Sequence, residues 1–359
     1  MGKSTGLGAL SLWTFNLKTR DIISRYTSAS YSGPAIKLGS GVVGGEALEA
    51  AAAGRYRLVS GEFVSVGLAG GYTQGGGHSV LNSEYGMTAD NVLEWEVVTA
   101  EGDHLIATPT QNSDLYWALS GGGGGTYAVV LSMTTRLYQD SPLVGAILNF
   151  TDAEVGNEAF WEAVTLWYQY LPSFIENTNN TIQWVVQNNS FSTSPINLLG
   201  QTNASAAQNL VAPFLADLDR LDIKYSLTAE VSETYEEHYN RYYGPLPYGP
   251  EPLTTILNSR LVPVAVVKDA AANDKFISSL NATVNSGQFL IGCNAMTVRD
   301  AVMKKISCCP LSATPSPSAT STRTGTIQRH SQKTWPSRTS WSMFLPRSLR
   351  PLRPGQASI

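Results

Sequence analysis

The chain has little cysteine, no long apolar run and, over its last sixth, no acid at all. Three cysteines in 359 residues, Cys293, Cys308 and Cys309, cannot build a disulfide framework, and no C-x-x-C is present. No apolar stretch approaches the ~18 residues that a membrane-spanning helix needs. The N-terminus, MGKSTGLGALSLW, lacks a long apolar h-region and reads as no signal peptide. No cysteine nucleophile is placed. Residues 301–359 hold nine Lys/Arg and no Asp/Glu, which leaves 15 Lys/Arg against 28 Asp/Glu in the first 300 residues, a net of −13. An acidic body argues against nucleic acid as a partner.

What the chain has in quantity is glycine, 32 residues. Seven fall between Gly61 and Gly77, within GEFVSVGLAGGYTQGGGHSVLNSEYGMTAD (Gly61–Asp90), and Gly86 follows. Glycine loses much entropy on folding, so such a cluster needs a reason. A solvated linker is one reading. The interleaved Val64, Val66, Leu68, Val80 and Leu81 favour a buried ribbon of turns whose N–H groups face a flat or anionic cofactor.

In chain order, Ala9–Leu12, Ile22–Ile23 and Ala35–Leu38 read as short strands. Gly39-Ser40-Gly41-Val42-Val43-Gly44 then leads into a helix over Glu46–Ala53. That is a G-x-G-x-x-G between strand and helix, with Glu62 near the spacing of a ribose-binding acid, so an NAD site is one alternative. The other is a tight turn with close helix–strand packing, since no further βα repeats follow. Arg57–Val59, Val92–Thr99, Leu105–Ala107 and Tyr127–Thr135 read as strands. Asn112–Leu119 reads as a helix capped by Asn112 or Ser113. The run Gly121–Gly125 lacks the Lys-Ser/Thr of a P-loop and reads as bare backbone against which something packs flat.

From about Leu143 the pattern changes. Strands are expected at Val144–Phe150, Ile182–Val186, Ile196–Leu199, Tyr225–Val231, Ser259–Val267 and Gln288–Ile291, and helices at Asp152–Leu171, Ala206–Leu218 and Ala270–Leu280. This alternation suggests an antiparallel sheet with helices on one face, an α+β class. In the polar, aromatic Tyr235–Tyr243, the tyrosines Tyr235, Tyr239, Tyr242 and Tyr243 form either a half-buried aromatic face or the lining of a substrate pocket, while Glu236, Glu237 and His238 read as a solvated helix face. No metal-ligand pattern is present. Five N-x-S/T sequons stand at Asn149, Asn179, Asn188, Asn203 and Asn281 and permit a secretory history. Residues 303–359 are Ser-, Pro- and Arg-rich without periodicity, and read as disordered or out of frame.

Four motifs in fixed order carry a family resemblance: Val66-Gly67-Leu68-Ala69-Gly70-Gly71, Gln74-Gly75-Gly76-Gly77-His78-Ser79, Tyr85-Gly86-Met87-Thr88-Ala89-Asp90-Asn91-Val92, and Asp114-Leu115-Tyr116-Trp117-Ala118-Leu119-Ser120 followed by Gly121–Gly125. The chain resembles the FAD-linked oxidases of the vanillyl-alcohol-oxidase type, in their fungal berberine-bridge-like branch. The resemblance implies a PCMH-type FAD-binding domain at 1–138, incomplete at its N-terminal subdomain, and an α+β substrate domain at 139–302 whose antiparallel sheet covers the flavin. It implies a monomer, typical of secreted secondary metabolism, that passes hydride from an alcohol, sugar or alkaloid-like substrate to flavin N5 and uses O2 as acceptor. Gly61, Val66, Gly67, Gly70, Gly71, Gly76 and His78 would line the FAD, with Val92 near its adenine side. His78, Tyr239 and Tyr242 are the candidate acid–base residues.

Two departures from the family pattern matter. The segment that carries the family's flavin-linking His would lie just before Met1. Phe63 stands where a second linking Cys is usual, so any FAD is expected to be non-covalent. A non-catalytic remnant is the rival reading.

Overall fold

The computed structural model describes residues 6–8, 10–176, 178–245, 258–286 and 289–297, together with the backbone of 316–321. The first half builds one sheet and its cover from β1 (Arg20–Thr27), β2 (Ser32–Gly39), α1 (Gly44–Ala53), β3 (Tyr56–Arg57), α2 (Asn82–Tyr85), β4 (Val92–Val98), β5 (His104–Ala107), α3 (Ser113–Leu119), β6 (Val129–Arg136) and β7 (Tyr138–Gln139). Five of these strands pair in the order β1-β2-β6-β4-β5, all antiparallel, while β3 and β7 form a separate two-stranded ladder. The alternation in β4 buries Leu93, Trp95 and Val97. The Trp95 indole N–H donates to Ser120 Oγ at 3.1 Å, which satisfies the one polar atom that the burial would otherwise strand. Helix α1 covers the sheet with Ala47, Leu48 and Ala51.

The second half contains β8 (Leu143–Thr151), α4 (Gly156–Ile175), β9 (Thr181–Val186), β10 (Ser190–Leu199), α5 (Ser205–Arg220), β11 (Tyr225–Ser232), α6 (Tyr235–Tyr242), β12 (Asn258–Leu261), α7 (Val264–Lys268), α8 (Ala270–Val284), β13 (Ile291–Met296) and β14 (Ser316–Ser321). Its seven strands pair in the order β11-β8-β10-β9-β13-β14-β12, again antiparallel. Helices α4, α5 and α8 close one face over an aromatic core. Trp167 is its hub, with ring centroids 5.0 Å from Phe191, 5.1 Å from Phe214 and 5.5 Å from Phe174. The opposite face carries Gln183 and Asn197 toward the first half of the chain, where α6 is wedged.

Several elements differ from the sequence reading, each for a local reason. Residues 10–12 form no strand, and Ala9 lies outside the described residues. The expected Arg57–Val59 strand is confined to Tyr56–Arg57, where β7 offers a partner. Asn112 does not cap α3. It adopts φ +49°, and its Nδ2 donates to the Ile106 carbonyl at 2.7 Å. The strand expected over Ser259–Val267 stops at Leu261, because Pro263 starts α7. The strand expected at Gln288–Ile291 runs Ile291–Met296 instead, and Gln288 lies outside the described residues. His238 is fully buried instead of lying on a solvated face, because it is wedged with Tyr242 against Gly145 of β8. In the segment expected to be disordered or out of frame, Ser316–Ser321 forms a strand between β12 and β13. Ladder pairing needs only backbone donors and acceptors, which side-chain periodicity does not reveal.

Truncating the hub of the aromatic core tests this packing. Trp167→Ala removes a side chain with no exposed surface and is expected to cost about 3–5 kcal/mol of stability, read from denaturant unfolding.

Candidate active site: an open glycine row under a polar sheet face

The ribbon after Val59 is pinned along the start of α1. Gly44 N donates to Val66 O at 2.9 Å, Gly45 N to Val64 O at 3.0 Å and Leu68 N to Val42 O at 3.2 Å. Beyond that anchor, Leu68–Tyr72 makes a short wide turn that breaks at Gly70, with φ −87° and ψ −148°. A Cβ placed on Gly67, Gly70 or Gly71 would meet nothing within 4 Å. Three backbone positions therefore face open space without side chains, beside a half-exposed Val66. Elsewhere the ribbon's glycines are set by contact. Gly77 has φ +77°, and a Cβ there would lie 2.7 Å from Thr88 Cβ. The five-glycine run packs on the ribbon itself. A Cβ on Gly124 would come within 2.8 Å of Gly71 Cα, and Gly123 N donates to Gln74 O at 2.7 Å.

Five side-chain polar atoms of the ribbon and the residue that precedes it are buried without a partner: Ser60 Oγ, Thr73 Oγ1, Gln74 Oε1, His78 Nε2 and Asn82 Oδ1. Buried polar groups are normally satisfied, so a group of orphans around an open glycine row fits a large polar ligand such as FAD. His78 is half-buried as a residue, but its Nε2 is enclosed, and burial pushes its pKa down to about 4. At neutral pH it is an uncharged imidazole. Gly61 packs against the Tyr72 ring, and Gly76 and Val92 are buried, the Val92 carbonyl accepting from the Tyr116 hydroxyl at 2.6 Å.

The NAD alternative does not survive the geometry of Gly39–Gly44. A Cβ on Gly39 would lie 2.2 Å from Leu17 O, and one on Gly41 2.3 Å from Phe15 O. Their glycine character therefore accommodates the chain's own N-terminal segment. The N–H groups a pyrophosphate would need are already donating, from Gly39 to Thr19 O and from Gly41 to Leu17 O. Glu46 fills the helix start by accepting from Val43 N at 3.0 Å, and this places an anion where the phosphate would sit.

Helix α6 closes the site from the other side. Tyr235, Tyr239 and Tyr243 recur every four residues and form one stripe. The Tyr239 hydroxyl donates to the Glu62 carbonyl, the Tyr242 hydroxyl to Gly145 O at 2.7 Å and the Tyr243 hydroxyl to Gln183 Oε1 at 2.9 Å. Burial raises the pKa of all three phenols. His238, its pKa pushed down to about 3 by burial, lies with Nε2 2.7 Å from Asn197 Oδ1. Sequence reasoning considered Glu62 only as the ribose-binding acid of the NAD alternative and gave Gln183 and Asn197 no role. The one available signal was that Glu62 is the only acid between Glu49 and Glu84.

The helix is placed by a buried ion pair. Arg57, with no exposed side-chain surface, donates to Asp140 Oδ1 from Nε at 2.9 Å and from Nη2 at 2.6 Å, and also to the Ser141 carbonyl. Both Asp140 oxygens accept from Tyr235 N at 3.1 Å, so the carboxylate caps the start of α6. Among the described residues no group of three metal-capable side chains exists, and no helix is long and apolar enough to cross a membrane.

Residues 13–108 match the model of the FAD binding domain family. The FAD-linked oxidoreductase sthB of Phaeosphaeria nodorum is 52% identical over 251 residues, which cover 70% of this chain and 79% of the relative. This chain belongs to the VAO-type FAD-linked oxidoreductases. The crystal structure of the VAO-type flavoprotein MtVAO615 from Myceliophthora thermophila C1 superposes with a TM-score of 0.84 at 45% identity, over 89% of this chain and 58% of that one. Berberine bridge enzyme from Eschscholzia californica shares the fold at 17% identity, with a TM-score of 0.63 over 85% of this chain and 59% of that one. The chain spans about half the length of most curated relatives it matches, 47% and 52% of two of them.

Removing one partner of the buried pair isolates its role. Asp140→Ala is expected to destabilise by about 3–5 kcal/mol, because it leaves the Arg57 guanidinium buried and uncompensated. Arg57→Met with Asp140→Leu is expected to cost less than the sum of the two single changes, measured by chemical denaturation as a double-mutant cycle.

Proposed function

We propose that this chain, as part of an FAD-dependent oxidoreductase, oxidises a small organic molecule of the alcohol, sugar or alkaloid-like kind, with O2 as the terminal acceptor. When bound, FAD supplies the hydride-accepting N5 and is reoxidised by O2 to give H2O2. The observation that carries the reading is the open row at Gly67, Gly70 and Gly71 above a set of orphaned polar atoms. Gly61, Val66 and His78 border that row, and Ser60, Thr73 and Gln74 offer polar atoms to the cofactor's edges. The ribbon's N–H groups are suited to steady negative charge on a reduced cofactor. Gln183 and Asn197, on the overlying sheet face, are buried and hydrogen-bonded to Glu62, Tyr243 and His238, and so fix the groups on that side and keep bulk water out.

Filling the row is the direct test. Gly70→Val is expected to leave the circular dichroism spectrum unchanged and to weaken FAD binding at least about tenfold, since a valine would occupy the space the row leaves open. Unchanged FAD affinity contradicts the placement.

We also propose that the FAD is held non-covalently, because Phe63 stands where a linking thiol is usual and offers no nucleophile. Acid precipitation is then expected to release all yellow colour into the supernatant. Colour that stays with the pellet contradicts it.

A further inference from the structure

Between Glu49 and Glu84 the chain carries one acid, Glu62, and it lies where three parts of the molecule meet. Glu62 follows Gly61 at the entrance to the glycine row. Its Oε1 accepts from Gln183 Nε2 of β9, and its backbone carbonyl accepts from the Tyr239 hydroxyl of α6. Gln183 Oε1 in turn accepts from Tyr243, whose hydroxyl also lies 3.5 Å from Asn197 Oδ1. One carboxylate oxygen is therefore held by a relay that ends in the sheet. The other accepts no protein hydrogen bond and is not among the enclosed, partnerless atoms. It is accessible, in a residue that is itself only half-buried.

The other acid–base groups nearby are committed elsewhere. Tyr239 and Tyr242 give their protons to backbone carbonyls, and burial raises their pKa values, so neither serves as a base at neutral pH. His78 Nε2 is enclosed, and burial lowers the pKa of His78 and of His238. The Glu62 carboxylate, with one anchored and one open oxygen, is the group that is left.

We propose that Glu62 is the proton acceptor for the substrate's hydroxyl group, held in position by Gln183. This rests on the flavin reading above. The substrate is an alcohol: its C–H electron pair leaves as hydride to the bound FAD, its O–H proton passes to the open Glu62 oxygen, and a C=O bond forms. The proton is later released to water as the cofactor is reoxidised. The titratable groups whose charge interacts with Glu62 are Tyr72 from the ribbon, Tyr235 and Tyr239 from α6, and Tyr243 just beyond its end. Burial among them raises the Glu62 pKa above the ordinary carboxylate value, with the Gln183 hydrogen bond opposing that rise. A reduced, anionic flavin adds a negative charge and raises it further. Proton uptake at Glu62 is therefore coupled to flavin reduction without any substrate present.

The test uses the full chain loaded with FAD. The two-electron midpoint potential is measured from pH 5 to pH 9, with dye equilibration, for the wild type and for Glu62→Gln, Glu62→Asp and Gln183→Leu. In the wild type the slope against pH is expected to double over one window, where a second proton is taken up on reduction. Glu62→Gln is expected to keep its FAD and lose that window. Glu62→Asp restores it, and Gln183→Leu, having lost the donor that stabilises the carboxylate, moves it to higher pH. Anaerobic flavin reduction by a panel of alcohols and sugars is expected to slow about 10²–10⁴-fold in Glu62→Gln. Equal slopes in wild type and Glu62→Gln, with FAD retained in both, overturn the role of Glu62 and leave the flavin reading intact. A chain that binds no FAD overturns both.

Discussion

The position of helix α6 depends on one buried contact, the Arg57–Asp140 ion pair. Two charges removed from water attract strongly, but the gain offsets their desolvation only when hydrogen bonding is nearly complete. Here Asp140 accepts from Arg57 twice and from Tyr235 N, and Arg57 also donates to Ser141 O, which leaves Arg57 Nη1 as the one enclosed atom of the pair without a partner. The pair joins β3 of the first sheet system, the crossing segment after β7 and the first turn of α6. With α6 fixed, its tyrosine stripe faces the ribbon and its His238–Tyr242 face rests on Gly145, whose missing Cβ would lie 2.2 Å from Tyr242 Cε2. A positional constraint in one place therefore sets the ceiling over the glycine row.

That arrangement separates two kinds of glycine. Gly39, Gly41, Gly77 and Gly124 lack side chains because another backbone or side chain presses against them. Gly67, Gly70 and Gly71 lack them over open space. Only the second kind needs a ligand as an explanation, and it coincides with the orphaned atoms of Ser60, Thr73, Gln74 and His78. The same distinction turns a nucleotide fingerprint at Gly39–Gly44 into a packing motif.

Much of this was legible in the sequence. The density of glycine with interleaved apolar residues indicated a packed ribbon, and the apolar periodicity within Asp152–Leu171 indicated α4. Phe63 could be read directly as the absence of a thiol. The rest depends on contacts distant in sequence. Arg57 and Asp140 lie 83 residues apart, and Glu62 and Gln183 121 apart, so neither pair leaves a local pattern. His238 sits in YEEHYNRY, a string polar enough to be read as solvated, and is buried only because a glycine on β8 makes room for it. Glu62 was visible as a lone acid, but its meaning came from the sheet and helix that close over it.

The account stands or falls on whether the glycine row receives a flavin. The decisive measurement is the visible absorbance of the purified chain after incubation with FAD and removal of unbound cofactor by gel filtration. The account predicts a two-band flavin spectrum eluting with the protein at one FAD per chain. A folded chain that elutes colourless would contradict it.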